Sequence, residues 1–176
     1  GESYERHKQR STASHSTVVV DGQNSSEVWG GFRVARRAKV IYINTKEIKN
    51  NIEVSASHDG YKRLKGKPIH KRDWIFSENK VIIKDSITGN GKHSVKSILP
   101  LHPDVSVVDF DDNSIRLSVN GKLVKVLFEG SGKLEVIASK YFPEFGLSID
   151  NKMLTFDYAG LLPHKIIIKI TWQNSK

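Results

Sequence analysis

Polar and apolar residues alternate with a period of two along much of the chain, which is the pattern of half-buried β-strands. Residues 52–57 and 165–172 show this alternation most clearly, with β-branched side chains on one face. Residues 17–20 and 39–43 are short apolar runs of the kind found in strands buried on both faces. A helical period is hard to find anywhere. These patterns predict a chain built almost entirely from strands.

Turn signals separate the predicted strands. The Asn-Gly pair at 120–121 stands between two alternating runs and predicts a hairpin, because a type I′ turn needs positive φ at both central residues. Residues 78–79 and 150–151 are predicted as two further hairpin tips, and 89–91 as another turn. We therefore expect an all-β fold with little or no helix: an antiparallel β-sandwich, of the supersandwich type, with about a dozen strands.

Composition limits the class of protein. With 176 residues, of which 38% are hydrophobic, the chain fits one domain over 1–176 with a core of its own. It contains no cysteine, which excludes disulfides, thiolate catalysis and cysteine-based metal sites. No apolar run approaches the ~20 residues of a membrane span, so none is expected. The chain begins at Gly1 without an initiator Met, and we interpret it as part of a longer protein.

The net charge of +9 indicates a polyanionic partner. Most of the excess lies in residues 1–75. Nucleic acid and acidic polysaccharide both fit this charge, while a solvated basic surface without a partner remains an alternative. The three tryptophans (Trp29, Trp74 and Trp172) do not alternate with the basic clusters as a base-stacking platform requires. We therefore expect no nucleic acid, while an acidic polysaccharide and a basic surface without a partner both stay open at this point.

Few catalytic motifs are present. The sequence has no zinc-protease helix motif, no glycine-rich phosphate loop and no serine-hydrolase elbow. Among seven histidines, His15 and His58 stand out because each lies at the mouth of a predicted strand beside a turn. For each of them, a surface or capping role is the alternative to a functional one.

Several segments resemble the heparinase II/III-like polysaccharide lyases, including members found with capsule or O-antigen genes. Residues 10–22, RSTASHSTVVVDG, resemble the signature R-S-T-A-x-H-N-T-V-x-x-D-G, and residues 58–64, HDGYKRL, resemble H-D-G-Y-x-R-L. A further match lies between these two segments, at 26–38, and others follow in order at 70–72, 85–103 and 142–146. The resemblance therefore covers nearly the whole chain.

The resemblance implies a two-part enzyme with an N-terminal (α/α) toroid, absent from this chain, and a C-terminal β-sandwich, in a periplasmic or cell-envelope setting. The family cleaves uronate-containing polysaccharide by β-elimination, so this chain alone is expected to be catalytically incomplete. His15, His58 and Tyr61 occupy family positions that imply a catalytic role from the sandwich side. The basic residues expected to bind substrate are Arg10, Arg63, Lys65, His70 and Arg72.

Some family members bind zinc through the signature His, an Asp 17–18 residues later and the His of the second motif. Here the Asp position falls at Phe32 or Arg33, and no Asp lies between Asp21 and Asp59. His15 and His58 are then the two remaining ligands for zinc or another divalent cation, a weaker set than the family's. The Asn that follows the signature His is also replaced, by Ser16. These departures keep open the alternative of a non-catalytic carbohydrate-binding or structural module.

The spacing of a second basic cluster argues against a single binding site there. If Arg33, Arg36 and Arg37 lie on one antiparallel strand, Arg33 and Arg37 share a face and Arg36 lies on the other. On that interpretation the three cannot all contact one ligand.

Overall fold

The computed structural model describes residues 4–29, 33–144 and 146–173. Residues 1–3 lie outside these ranges, as do four positions of the quoted motif segments: Gly30, Gly31, Phe32 and Phe145. No helix in the described ranges is long and apolar enough to cross a bilayer.

Fourteen strands and two short helical segments follow one another along the described chain. The helical segments are α1 (Tyr4–Arg10) and a 3₁₀ helix (Thr12–Ser14). The strands are β1 (Val18–Val20), β2 (Val28–Trp29), β3 (Arg33–Val34), β4 (Val40–Ile48), β5 (Asn51–His58), β6 (Ile69–Ser77), β7 (Lys80–Thr88), β8 (Lys92–Pro100), β9 (Ser106–Phe110), β10 (Ser114–Val119), β11 (Lys122–Glu129), β12 (Lys133–Tyr141), β13 (Ile149–Leu161) and β14 (His164–Trp172).

The strands form two packed antiparallel sheets and a small hairpin. The larger sheet has eight strands in the order β4-β5-β6-β7-β14-β11-β10-β9, and the smaller has four in the order β1-β8-β13-β12. The hairpin is β2-β3. The prediction of an antiparallel β-sandwich is confirmed, with slightly more strands than expected.

Apolar side chains from the two sheets meet between them. Phe128 of β11 stacks on Phe156 of β13 with ring centroids 5.1 Å apart, so one aromatic pair joins the larger sheet to the smaller. Burial of a side chain of this size contributes roughly 1.5–3 kcal/mol. All three residues of β1 are buried, as the apolar run at 17–20 predicted.

The turn predictions have mixed outcomes. Asn120 and Gly121 both have positive φ (50° and 76°) and join β10 to β11, as predicted. Residues 78–79 and 89–91 also connect consecutive strands. The hairpin tip at 150–151 was wrong, because both residues lie inside β13. There Asp150 faces Lys140 of β12, and the amide of Asn151 donates to the carbonyl of Leu101, so polar residues serve cross-strand contacts rather than a turn.

Two strand predictions were also wrong. Residues 39–43 do not form a strand buried on both faces: β4 is an edge strand, with Val40 67% and Ile43 71% exposed. The smaller sheet has half as many strands as the larger one and leaves this edge uncovered.

The strand expected to carry Arg33 and Arg37 ends at Val34. The alternation argument therefore does not apply to that arginine cluster, in which Arg36 pairs with Glu27 at 3.3 Å.

Candidate active site

The signature segment is held against the loop at residues 24–26 by a small hydrogen-bond network. The backbone N–H of Thr12 donates to Oδ1 of Asn24 at 2.8 Å, and the N–H of Ser25 donates to the hydroxyl of Thr12 at 2.9 Å. Short polar side chains form such bonds readily with nearby backbone, which explains a Ser/Thr-rich segment here. The 3₁₀ turn and the residue after it, His15, are thereby fixed at the mouth of β1.

His15 and His58 line one cavity of about 360 Å³ together with Arg10. We call it the His15–His58 cavity; its other lining residues are Thr12, Thr17, Ser25, Ser26 and Val28. His15 is exposed and His58 is half-buried. The structure thus brings two of the three predicted catalytic residues and one predicted substrate-binding residue to a single hollow.

His58 belongs to a directed chain of hydrogen bonds. The backbone N–H of Gly60 donates to its Nδ1 at 3.2 Å, so the neutral ring carries its proton on Nε2. That nitrogen lies 3.2 Å from Nδ1 of His70, whose Nε2 lies 2.7 Å from Asp85. Because the ionised carboxylate can only accept, His70 donates to it from Nε2 and accepts from His58 at Nδ1. The Gly60 end and the Asp85 end of this chain therefore agree: each of the two histidines carries its proton on Nε2.

The chain ends on a buried ion pair. Arg72 donates from Nε and Nη2 to the two oxygens of Asp85 at 2.6 and 2.8 Å, and from Nη1 to the carbonyl of Ser16 at 2.7 Å. Asp85 is fully buried and Arg72 is 5% exposed. Burial alone would raise the pKa of Asp85, but the hydrogen bonds from His70 and Arg72 outweigh it and hold that pKa below its usual value. The pair thus ties β6 and β7 to the residue that follows His15.

His58 is uncharged at neutral pH. Burial, followed by the nearby His70 ring, lowers the pKa of His58 from 6.5 to about 4, although Asp59 acts in the opposite direction. His58 therefore presents a neutral imidazole to the cavity, with its orientation set by Gly60 and His70.

Tyr61 lies in the hydrophobic core and not on the cavity wall. Its side chain is completely buried, and its hydroxyl donates to the carbonyl of Val18 at 2.7 Å. Burial raises the pKa of Tyr61 above its ordinary value. The hydroxyl already has its partner and no exposure to solvent, so this geometry gives Tyr61 a packing role where the sequence predicted a catalytic one.

The predicted substrate-binding residues are distributed over different environments. Arg63 holds a loop together: its guanidinium donates to the carbonyls of Gly60 and Asn24 and lies 3.4 Å from Glu27. Lys65 is exposed and lines neither the His15–His58 cavity nor its neighbour. That neighbour, of about 150 Å³, shares His58 with the first cavity and is lined in part by His70 and Arg72. The basic residues at 62–72 therefore do not form one continuous cationic groove.

The described residues do not fit the zinc site that the resemblance implied. Both ring nitrogens of His58 are already hydrogen-bonded, to Gly60 and His70. No group of three or more His, Cys, Asp or Glu side chains suited to a metal occurs in residues 4–29, 33–144 and 146–173. Arg33, one of the two counted Asp positions, has its guanidinium 5.0 Å from the centre of the Trp29 ring. These hydrogen bonds engage both nitrogens that His58 would offer a cation, which leaves His15 as the one remaining ligand of the expected pair.

Two residues important for this geometry were given no role from the sequence. Asp85 anchors the chain, and Gly60 permits a close approach, since a Cβ there would lie 2.6 Å from the carbonyl oxygen of Ser25. A signal for Asp85 exists: it lies between Ile83 and Ile87 on the inward face of β7. A carboxylate among apolar residues on one face indicates a buried partner. No comparable signal marks Gly60.

Comparisons with known proteins place the chain in a family. Residues 1–164 match the heparinase II/III-like C-terminal family, and the chain belongs to it. No curated protein matches the sequence.

Solved structures show the same fold. A heparinase III has a TM-score of 0.78 with 16% identity over 99% of this chain and 26% of its own. The heparan sulfate lyase HepC from Pedobacter heparinus has a TM-score of 0.74 with 15% identity over 100% of this chain and 28% of its own. The chain thus spans about a quarter of the length of these proteins.

Proposed function

We propose that this chain is the sandwich half of a polysaccharide lyase that cleaves uronate-containing acidic glycans by β-elimination. The observation that carries the proposal is the shared His15–His58 cavity, lined by Arg10, in a domain of the heparinase II/III-like C-terminal family. An N-terminal toroid of the same protein would form the opposite wall. The resemblance to members found with capsule or O-antigen genes supports a glycan of the cell envelope as the substrate.

The reaction makes specific demands on the site. A base removes the proton at C5 of the uronate, a C4–C5 double bond forms, and the C4–O bond breaks. An acid then supplies a proton to the leaving oxygen. The neighbouring carboxylate resists further negative charge, so a cation or hydrogen-bond donors must neutralise it. This chain offers an imidazole (His15) and a guanidinium (Arg10) in one hollow.

We assign different tasks to the two histidines. His15 is exposed and is the imidazole able to contact the reacting sugar. His58 lines the same cavity as a neutral ring whose Nε2 proton is directed to His70, so it shapes and orients the wall. Arg72 supports the segment that carries His15 through its bond to the carbonyl of Ser16.

The test is an elimination assay on the full-length protein. The wild type is incubated with heparan sulfate, hyaluronan, chondroitin sulfate and alginate, and the ultraviolet absorbance of the unsaturated uronate is followed. We expect His15→Ala to slow turnover at least 100-fold, the usual contribution of a general acid or base. Arg116→Ala, which removes an exposed arginine of the Arg116–Asp109 pair, is the control and should retain activity. Full activity of folded His15→Ala would contradict the assignment.

A non-catalytic carbohydrate-binding module is the second candidate. It is favoured by the lack of an Asp between Asp21 and Asp59 and by Ser16 in place of the family's Asn. The two functions differ in one outcome: for a binding module, the wild type binds one of the four glycans without producing an unsaturated uronate.

A further inference from the structure

A second cavity continues from His15 away from His58. It has a volume of about 680 Å³, and His15 lines both this cavity and the His15–His58 cavity. We call it the Tyr141 groove. Its wall is formed by the ends of β8 and β12 with the loop residues that follow them, by β13, and by residues between 9 and 16. A chain molecule that contacts His15 in the first cavity can therefore extend into the second.

Aromatic rings line this groove. His102 and Tyr141 lie with their ring centroids 5.1 Å apart and their planes tilted by 65°, and Phe142 follows directly. His102 is exposed, and the other two are half-buried. Aromatic rings offer rigid apolar surface with a polar edge, which suits the C–H face of a sugar ring together with its hydroxyls.

The charges of the Tyr141 groove are balanced, unlike those of the first cavity. Among its described lining residues Lys140 is the only lysine or arginine and Glu144 the only carboxylate, and Lys140 pairs with Asp150 at 2.6 Å. His102 lies 3.4 Å from Asp104. The groove therefore has little preference for an anionic group. The first cavity, by contrast, is lined by Arg10.

One buried acceptor in the groove wall lacks a partner. The amide nitrogen of Asn151 donates to the carbonyl of Leu101 at 2.7 Å, which fixes the side chain. Its Oδ1 has no hydrogen-bond partner among the described residues, although Asn151 is only 9% exposed. This oxygen is itself buried, so a sugar hydroxyl would reach it only after the covering side chains shift, and recognition in the groove rests on its aromatic rings.

We propose that the Tyr141 groove is a second glycan subsite, which binds the sugar next to the reacting uronate through its apolar face. This assignment rests on the proposed function. The reacting uronate occupies the His15–His58 cavity, where its carboxylate meets Arg10, and the neighbouring sugar packs on Tyr141 and Phe142. Recognition in the groove depends on stacking and hydroxyl contacts, so it should be insensitive to salt, whereas recognition at Arg10 should weaken as salt rises.

The test compares oligosaccharides of two to eight sugars, prepared from the four glycans named above, on the full-length protein. For Tyr141→Ala we expect the KM of substrates long enough to reach the groove to rise about tenfold, with the effect equal at low and high salt. Tyr141→Phe, which keeps the ring, should remain close to the wild type. Phe110→Ala, an exposed aromatic residue at the far edge strand β9, is the matched control.

The outcomes separate the two proposals. If Tyr141→Ala and Phe142→Ala leave KM unchanged at every length while His15→Ala is inactive, the subsite is wrong and the proposed function stands. If the wild type neither binds nor cleaves any of the oligosaccharides, or if His15→Ala remains fully active, the proposed function fails and the subsite assignment fails with it.

Discussion

Asp85 and Arg72 face each other across β7 and β6 and form a two-point ion pair, at 2.6 and 2.8 Å, in the interior of the sandwich. The same carboxylate accepts from His70, which in turn contacts His58 on the cavity wall. One buried charge thus determines both the orientation of a cavity residue and, through Arg72 and Ser16, the position of the signature segment.

Removal of that charge should destabilise the fold strongly. Asp85→Ala leaves the Arg72 guanidinium buried without its counter-ion, and breaking a buried pair in this way costs about 3–5 kcal/mol. The free energy of unfolding, measured by urea denaturation, should fall by that amount. Asp109→Ala is a matched control, because Asp109 makes the same two-point contact with Arg116 on the surface. The control should change stability only slightly, and equal losses in both variants would contradict a special role for burial.

The sequence predicted the fold class well because strand alternation and turn residues are local signals. The Asn-Gly turn at 120–121 needs only its own two residues to specify positive φ. Exposure of Val40 in β4 is different, since it depends on how far the opposite sheet extends. An apolar run carries no information about that, and 39–43 was accordingly mistaken for a buried strand.

The candidate site shows the same contrast between local and long-range information. His15 and His58 were recognised from motifs, but the partners of each ring come from strands distant in sequence, such as His70 and Asp85. Tyr61 shows a limit of motif reasoning: it shares a motif with His58, yet its side chain is buried in the core. Neighbours in sequence at a strand end need not face the same side.

The hydroxyl of Tyr61 should contribute to stability and not to turnover. Tyr61→Phe removes a buried hydrogen bond and leaves the carbonyl of Val18 without that donor, at a cost of about 1–2 kcal/mol. We expect a lower urea midpoint with unchanged turnover per folded molecule. If a variant that still folds instead turns over substrate about 100-fold more slowly, the catalytic role predicted from the sequence is restored.

His58 should make the folded state sensitive to acid. Its pKa is lowered from 6.5 to about 4, by burial first and then by His70, so between these values the unfolded chain takes up a proton that the folded state does not. The free energy of unfolding therefore decreases as the pH falls from about 6.5 to 4, by the order of 2 kcal/mol for a partly screened ring.

His58→Gln isolates this contribution. The glutamine amide can accept from Gly60 with its oxygen and donate to His70 with its nitrogen, but it does not titrate. The loss of unfolding free energy between pH 7.5 and pH 4.5, measured by urea denaturation, should be smaller in this variant. His164, whose pKa is also lowered by burial, keeps some acid sensitivity in both proteins, so the difference between them is the measured quantity. An identical pH dependence in the two proteins would contradict the assigned pKa.

Gly60 should be intolerant of any side chain. A Cβ at this position would lie 2.6 Å from the carbonyl oxygen of Ser25 and 3.0 Å from Nδ1 of His58, so the backbone around Gly60 or these two lining residues of the His15–His58 cavity would have to move. Gly60→Ala should lower the free energy of unfolding by about 1–3 kcal/mol, the usual cost of overpacking. It should also weaken glycan binding, because the displaced backbone N–H no longer orients His58.

Gly121→Asn is the control: that glycine has open space around it, and Asn tolerates its positive φ, so thermal denaturation should show little change. Equal melting temperatures for Gly60→Ala and the wild type would mean that the loop relaxes freely and does not hold His58 in place.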